Sequence, residues 1–491
     1  VAGRHAMQTT LFSTFVRRYI RRGNLTIRFP DGHLARFGDG HGRALRFHLT
    51  SRRAMWWLAL HPDLALGELF MEDRLRMEQG RIHDLLELIF TNVRTDQLTG
   101  MQQLTRRASA LRARRGRVNT LLRARRNVAH HYDLNDDLYR LFLEEDRQYS
   151  CAYFEHPAAT LEEAQLAKKR HVAAKLHLPL APDYAETETV LNGSPAQGQA
   201  NGAACNGHAA PGTVRTSPAR SNGHAPPRPT PSVLDIGSGW GGLGLYLARH
   251  YGADVTGVTL SREQHRVSND RARRAGLDGR VRFEMQDYRS LARRFDRIVS
   301  VGMFEHVGRA HIDTFFACIA DLLAPDGVML LHYIGQSGPP APTSAWVRKY
   351  IFPGGDMPAL SEVLPAIERH GLIVTDIEVL RLHYAETLRH WRERFLARRQ
   401  EAVALYDERF ARMWEFYLAA AETSFRHQRL VVHQIQLARR LDALPVTRDY
   451  ITAEEARLRP RDGGGDSPLP APHSVTDPAR SAAGADPSRP H

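Results

Sequence analysis

The sequence predicts an α/β protein whose main domain is a doubly wound, mostly parallel sheet. Patterns typical of strands alternate with patterns typical of helices from Val233 onward, as in parallel sheets that are covered by helices. A glycine-rich turn at 237–242 joins the first of these strands to the first helix. Polar residues follow later strands, at the sheet edge where such folds bind ligands.

The elements of this domain are predicted in chain order from their periodicity. The predicted strands cover 233–236, 254–259, 281–285, 296–301 and 328–333, and the predicted helices cover 242–250, 262–275 and 311–323.

A smaller α+β domain is predicted before it. Apolar residues recur at helical spacing from Leu11 to Ile20, with arginines between and after them. This pattern predicts a basic amphipathic helix, which either packs on its own domain or meets lipid headgroups. Alternating residues predict strands at 25–29 and 45–49, with turns at 30–32 and 38–40.

Composition limits the class of protein. A chain of 491 residues is long enough for two folded units, and its 42% hydrophobic and 25% charged residues are typical of a globular protein. Neither a bilayer-spanning apolar stretch nor a secretory signal at 1–10 is visible, so we expect a cytoplasmic protein. Cys151, Cys205 and Cys318 are too few and too scattered for a disulfide framework or a metal site.

Charge and low complexity mark further segments. The net charge of +13 indicates attraction to polyanions, either nucleic acid or an anionic membrane. Arginine is dense at 104–130, which indicates either a solvated helical connector or a contact with anionic lipid. Residues 184–230 have no aromatic residue after Tyr184, and we expect a disordered insertion there and a largely disordered tail at 446–491.

The glycine turn indicates a nucleotide-type cofactor. Gly237, Gly239 and Gly242 have the G-x-G-x-x-G spacing, which lets backbone N–H groups approach a ligand. Asp235 at the strand end suits the amino group of S-adenosylmethionine, and the second strand ends at 257–261 without the acid that a dinucleotide ribose requires. Gln286 and Asp287, after the third strand, reach the same edge of the sheet.

Motifs along most of the chain carry a resemblance to a known family. They are the segments at 131–134 (HYDL), 148–154 (QYSCAYF), 234–242 (LDIGSGWGG), 257–261 (GVTLS), 286–288 (QDY), 301–308 (VGMFEHVG), 331–335 (LHYIG) and 350–355 (YIFPGG). In these the chain resembles the cyclopropane-fatty-acyl-phospholipid synthases, which include the mycolic-acid cyclopropane synthases. Ser238 stands where many members have cysteine.

The resemblance implies a Rossmann-like class I methyltransferase fold with a seven-stranded, mostly parallel sheet. The implied division is an N-terminal lipid-docking domain at 1–103, the connector at 104–130, lead-in helices with an active-site cap at 131–183, the insertion at 184–230, the methyltransferase core at 231–445 and the tail at 446–491. The implied reaction adds a methylene carbon from S-adenosylmethionine to a cis double bond of a phospholipid acyl chain, through a carbocation that a bound bicarbonate deprotonates.

Site residues follow from the matching motifs. Those implied to hold the bicarbonate are Cys151, Glu305, His332, Ile334 and Tyr384. Those implied to bind the cofactor are Tyr149, Ser150, Asp235, Gly237, Gly239, Thr259, Leu260, Gln264, Gln286 and Asp287. Aromatic rings can stabilise a cation, and the candidates for this are Tyr132, Tyr149, Tyr153, Phe154, Phe304 and Tyr384.

Expected partners are unsaturated phospholipid chains at the inner, anionic face of the cell membrane, with peripheral association and no nucleic acid. No resident metal is expected, and a homodimer is allowed. Three alternatives stay open at this point: a methyl- or methylene-branched product, a small-molecule methyltransferase on the same scaffold, and a lipid- or nucleic-acid-binding protein without catalysis.

Overall fold

The computed structural model describes residues 2–93, 136–180 and 230–462. The predicted connector at 104–130, the motif at 131–134 and all but the last residue of the predicted insertion at 184–230 lie outside these ranges. Within them, no helix has the length and apolar character that are needed to cross a membrane. Two sheets organise the described residues.

The N-terminal unit is built on a four-stranded sheet with strand order β2-β1-β3-β4. Its strands are β1 (Asn24–Arg28), β2 (Leu34–Phe37), β3 (Ala44–Leu49) and β4 (Leu75–Gln79), and its helices are α1 (Ala2–Tyr19), α2 (Arg52–Leu60), α3 (Pro62–Met71) and α4 (Ile82–Asn92). The predicted amphipathic helix is α1. Phe12 and Val16 on this helix are buried in one core with Leu25 and Ile27 of β1, so its apolar face packs within the protein.

The larger sheet has seven strands in the order β10-β11-β9-β8-β5-β6-β7. They are β5 (Ser232–Ile236), β6 (Asp254–Val258), β7 (Val281–Glu284), β8 (Phe295–Val301), β9 (Leu323–Gln336), β10 (Ile373–Leu380) and β11 (Leu430–Ala438). Strands β5 to β9 pair in parallel, and β11 is antiparallel to both of its neighbours. The predicted seven-stranded, mostly parallel sheet is confirmed.

Helices cover both faces of this sheet. They are α5 (Asp136–Arg140), α6 (Leu161–Leu176), α7 (Gly242–Tyr251), α8 (Arg262–Arg274), α9 (Ile312–Leu322), α10 (Ala345–Tyr350), α11 (Leu360–Arg369), α12 (His383–Ala397), α13 (Arg399–Leu405), α14 (Glu408–His427) and α15 (Tyr450–Asp462). The chain runs outward from β5 through β6 to β7 and then returns to β8 on the other side of β5. Ligands bind at such switch points, beyond the carboxyl ends of the strands.

A single hydrophobic core joins the N-terminal unit to helices α12 and α14. Helix α14 packs against both α3 and α4. Trp391 on α12 and Trp414 on α14 are completely buried in this core, and both rings contact Phe142. The N-terminal unit is thereby fixed against one side of the larger sheet.

Arg297 on β8 ties together two segments that are distant in sequence. Its side chain donates hydrogen bonds to the carbonyl oxygens of Leu176 and His177 at 2.6 and 2.7 Å, at the end of α6. In the sheet, Arg297 is the register partner of Val233 on β5. The end of α6 and the start of β5 are therefore both held by one residue.

The prediction of a largely disordered tail at 446–491 is wrong for residues 450–462, where α15 forms and packs on α6. Buried charge pairs explain the difference. Asp462 pairs with Arg170, and Glu455 accepts a 2.6 Å hydrogen bond from His171. These partners lie on α6, far away in the sequence, and so a composition argument misses them.

Candidate active site

The glycine turn between β5 and α7 is shaped for close backbone approach. The backbone N–H groups of Gly237 and Ser238 both donate to the carbonyl oxygen of Val258, at 2.9 and 3.1 Å. Gly237 has a φ of +85°, and a Cβ at this position would lie 2.7 Å from the Cβ of Met303. Only glycine satisfies both constraints. At Gly239, by contrast, a Cβ would meet no atom within 4 Å, so a ligand at the sheet edge can approach the backbone of the turn there.

All the residues predicted to bind the cofactor line one pocket at this edge. They are Tyr149, Ser150, Asp235, Gly237, Gly239, Thr259, Leu260, Gln264, Gln286 and Asp287. Several of their polar groups are already oriented. Thr259 Oγ1 donates to Gln264 Oε1 at 2.9 Å, and the Asp287 carboxylate accepts from Arg289 at 2.8 Å.

Asp235 is the buried acid of this pocket. Burial raises the pKa of its carboxyl group to about 7, against the opposing field of Lys168. The Lys168 ammonium group is itself fully buried, donates to Gln148 Oε1, and lies 3.2 Å from Ser150 Oγ. An amino group that binds beside Asp235 would stabilise its charged form, as the cofactor assignment requires.

The five residues predicted to hold the bicarbonate line a second cavity. This cavity has a volume of about 1080 Å³, slightly above the roughly 300–1,000 Å³ that is usual for ligand pockets. The five residues that line it are Cys151, Glu305, His332, Ile334 and Tyr384. Most of its other walls are apolar side chains, and several come from the N-terminal unit, including Phe12, Phe15, Val16, Phe47, Ile89 and Phe90. Tyr149, Ser150, Gly302 and His306 line both spaces, so the two meet there.

Glu305 lines this cavity and has one carboxyl oxygen that is paired and one that is not. It lies in a short 3₁₀ turn after β8, where its Oε1 accepts from the backbone N–H of Ile334 at 2.7 Å. Its Oε2 is buried and makes no hydrogen bond with any described residue. Burial raises the pKa of Glu305 to about 7. An unpaired buried oxygen of this kind is costly unless a ligand satisfies it.

His332 and Cys151 complete the polar wall. Burial and the nearby lysines lower the pKa of His332 to about 3, which keeps its ring neutral, and its Nδ1 lies 3.2 Å from Gln434 Nε2. Burial also raises the pKa of Cys151 far above its usual range, and its thiol donates to the carbonyl oxygen of Ala152 at 3.3 Å. Cys151 is therefore a neutral thiol and not a nucleophile.

The structure separates the aromatic candidates. Tyr149 and Tyr384 line the cavity. The others do not: Tyr153 is stacked between His171 and His383, Phe154 lies against His390, and Phe304 packs on Phe315 and Tyr333. Tyr132 lies outside the described residues.

Sequence reasoning missed three residues at the site. Tyr417 lines the cavity, and its hydroxyl group is 2.9 Å from that of Tyr149. Lys168 lines the cofactor pocket, and Gln434 contacts His332. Only Lys168 had a signal in the sequence, because it begins a run of four basic residues, 168–171, that is too long for one solvated helix face.

Comparison with known proteins identifies the family. The family model described as "Mycolic acid cyclopropane synthetase" matches residues 119–182 and 228–435, more than half of the chain. The chain belongs to this family. It is an S-adenosylmethionine-dependent methyltransferase of the cyclopropane synthase type.

Individual members are similar over much of their length. A probable fatty acid methyltransferase of Pseudomonas putida is 33% identical over 76% of this chain and 82% of its own length. The cyclopropane-fatty-acyl-phospholipid synthase of Escherichia coli K12 is 37% identical over 63% of this chain and 66% of its own length. The solved structure of the cyclopropane synthase MmaA2 from Mycobacterium tuberculosis has a TM-score of 0.52 and 29% identity, covering 64% of this chain and 98% of that one.

A cyclopropane synthase structure with a bound ligand supports the cofactor. The mycolic acid cyclopropane synthase CmaA1, solved in complex with SAH and CTAB, has a TM-score of 0.51 and 30% identity, covering 64% of this chain and 97% of that one. The corresponding pocket of the present protein fits S-adenosylmethionine, because it combines a glycine turn with a buried acid and with polar residues at the strand ends.

Cofactor affinity should depend on pH through Asp235. The pKa of this carboxyl group is about 7 in the free protein, and binding of the cofactor's ammonium group favours its ionised form. We therefore expect the affinity to fall about tenfold between pH 8 and pH 6, as calorimetry can measure.

Asp235→Asn is the control for this prediction. Glu144 and Glu305 also have pKa values near 7 because they are buried, so the variant isolates the contribution of Asp235. It should bind more weakly at both pH values and lose most of the pH dependence. A wild-type affinity that is constant from pH 6 to pH 8 would contradict the assignment.

Proposed function

We propose that this enzyme transfers a methylene carbon from S-adenosylmethionine to the cis double bond of an unsaturated phospholipid acyl chain and forms a cyclopropane ring. One observation carries the proposal: the cofactor pocket meets a large apolar cavity at Tyr149, Ser150, Gly302 and His306. An acyl chain in that cavity would bring its double bond next to the cofactor while both are kept out of water.

The chemistry explains why the site is buried. An alkene is a weak nucleophile, and S-adenosylmethionine, when bound, would supply a methyl group that is activated by its positive sulfur. Close alignment in a dry cavity lowers the barrier to such an attack. The attack leaves a positive charge on the acyl chain, which the faces of Tyr149 and Tyr384 can stabilise.

Ring closure requires loss of a proton from the added methyl group. A bicarbonate held by Cys151, Glu305, His332, Ile334 and Tyr384 would supply the base. The unpaired Oε2 of Glu305 supports this fit, because a protonated carboxyl group there can donate a hydrogen bond to an anion. His332 lines the same cavity, and its pKa of about 3 makes it a poor base, so it does not compete with the bicarbonate for the released proton.

Three observations support a phospholipid substrate. The cavity extends to the apolar side chains of the N-terminal unit, the chain carries a net charge of +13, and one relative is named for phospholipid substrates. Positive charge favours approach to an anionic membrane surface. We therefore place the enzyme at the inner face of the cell membrane, as a peripheral protein.

Lipid analysis tests this function. The chain would be expressed in a bacterial host that makes unsaturated phospholipids and has no cyclopropane synthase of its own, with Glu305→Gln as the inactive control. Gas chromatography with mass spectrometry should show acyl chains that have gained one methylene group and elute as cyclopropane esters. Unchanged lipids, in a host that contains the folded protein, would reject the proposal.

A branched acyl chain is the competing product, and two relatives of this protein are named as methyltransferases and not as cyclopropane synthases. They are the probable fatty acid methyltransferase of Pseudomonas putida and a tuberculostearic acid methyltransferase of Mycobacterium tuberculosis, which is 36% identical over 64% of this chain. A methylene branch would form if a different proton were lost, and a methyl branch would need a reductant. The methylene-branched ester would have the same mass gain as the cyclopropane ester but a different retention time. The methyl-branched ester would be heavier by two further hydrogen atoms.

A further inference from the structure

A chain of buried hydrogen bonds leads from helix α6 to His332. Lys175 Nζ donates to Gln434 Oε1 at 2.9 Å, and Gln434 Nε2 lies 3.2 Å from His332 Nδ1. The side chains of Lys175, Gln434 and His332 are all inaccessible to solvent or nearly so. Gln434 and His332 are register partners on neighbouring strands, so the sheet itself fixes their separation.

The chemistry of the three groups fixes which atom donates and which accepts in each of these hydrogen bonds. An ammonium group only donates hydrogen bonds, so the atom of Gln434 that faces Lys175 has to be its oxygen. The amide nitrogen then faces His332, and it can only donate. His332 Nδ1 must accept, which means that it carries no proton.

We infer that Lys175 and Gln434 are positioning residues that act in series to hold His332 as the neutral tautomer protonated at Nε2. His332 lines the cavity, and its Nε2 makes no hydrogen bond with any described residue. The Nε2–H group is thus available to donate to an anion in the cavity, and the lone pair on Nδ1 is occupied. His332 therefore holds the base and does not itself take up the proton.

Lys175 is held firmly by ion pairs, so its ammonium group determines the orientation of the Gln434 amide. Its ammonium group pairs with Glu378 and lies 3.6 Å from Asp376, both on β10. Arg448 in turn contacts both carboxylates. Rotation of the Gln434 amide would place its NH₂ group against the ammonium group and its oxygen against His332 Nδ1. Two donors would then face each other, so the observed orientation is the stable one.

The tautomer can be measured without any activity assay. In protein labelled with ¹⁵N-histidine, two-bond ¹H–¹⁵N correlation spectra distinguish a protonated ring nitrogen from a bare one, and a His332→Gln variant assigns the signal. We expect Nε2 to be protonated and Nδ1 to be bare in the wild type. In Gln434→Glu, the new carboxylate accepts from the ring, so Nδ1 should gain a proton.

Gln436→Glu is the matched control. Gln436 is also buried on β11 and contacts the same helix, but its amide donates to the Lys175 carbonyl oxygen and to the Tyr450 hydroxyl group. This variant tests the effect of a buried charge on the same strand and should leave the His332 tautomer unchanged. A second variant, Lys175→Met, should allow the amide to turn and give a mixture of tautomers.

The catalytic consequence rests on the proposed function and has its own measurement. Turnover of Gln434→Glu should fall on the order of 100-fold, because a hydrogen-bond donor at the cavity is lost, while calorimetry should find its affinity for S-adenosylmethionine unchanged. Absence of cyclopropane product from the wild type would reject the proposed function and leave the tautomer result standing. A wild-type His332 protonated at Nδ1, or a tautomer unchanged in Gln434→Glu, would overturn the inference.

Discussion

Glu305→Gln should lower turnover on the order of 10³-fold, because Glu305 is one of the groups that we propose to hold the base. The wild-type carboxyl group has an Oε2 with no hydrogen bond to a described residue and a pKa that burial raises to about 7. The amide keeps the shape of this group and can still donate a hydrogen bond, but it cannot release or take up a proton, so it cannot share a proton with the base. The measurement is the rate of methyl transfer from labelled S-adenosylmethionine to unsaturated phospholipid vesicles.

The cofactor should still bind to Glu305→Gln, because Glu305 is absent from the lining of the cofactor pocket. Glu68→Gln is a suitable comparison. Glu68 is equally buried but accepts hydrogen bonds from Trp57, Lys349 and Tyr350, away from the cavity. That variant should lose some stability and keep its turnover per folded molecule. Near-normal turnover of Glu305→Gln would remove Glu305 from the mechanism.

Trp391→Ala should lower the free energy of unfolding by about 3–5 kcal/mol, the range for large aromatic side chains deleted from a core. Trp391 is completely buried, with its ring stacked 5.1 Å from that of Tyr149 and edge-on to that of Tyr384 at 5.7 Å. Removing the indole therefore leaves an empty space behind two rings that line the large apolar cavity. Chemical denaturation measures the first effect, and methyl transfer by the folded fraction measures the second.

Two further substitutions serve as controls for this prediction. Trp56→Ala, on α2, removes a tryptophan that is 36% exposed and should cost much less stability. Trp391→Phe keeps an aromatic surface behind Tyr149 and Tyr384 and should retain more activity than the alanine variant. Equal stability of the alanine variants at positions 56 and 391 would show that the cluster around Tyr149 is not part of the stabilising core.

The sequence was most informative where local pattern and ligand chemistry agree. Buried strands next to glycines predicted the order of β5, α7 and β6, and a strand-end acid without a second acid for a ribose indicated S-adenosylmethionine. The resemblance then supplied a residue set that the structure gathers around two connected spaces. Strand ends meet at one edge of a parallel sheet, so these residues could be grouped before the fold was known.

Other features depend on pairings that a single sequence does not reveal. Strand β11 reads His433-Gln434-Ile435-Gln436, a mixed pattern, yet all four residues are buried. The amides of Gln434 and Gln436 can be buried because they find partners on β9 and α6. The partner of His332 depends on the antiparallel register between β9 and β11. The same reason explains α15, whose charges look solvated until Arg170 and His171 are placed beside them.

Arg297 has a consequence for engineering the chain. It binds the carbonyl oxygens at the end of α6 and pairs with β5, so the two flanks of residues 181–229 are already held within the reach of one side chain. The free energy of closing a loop changes slowly with its length. A short flexible bridge in place of 181–229 should therefore leave the catalytic half of the protein intact, which makes this junction the natural point at which to shorten the protein or to insert a reporter.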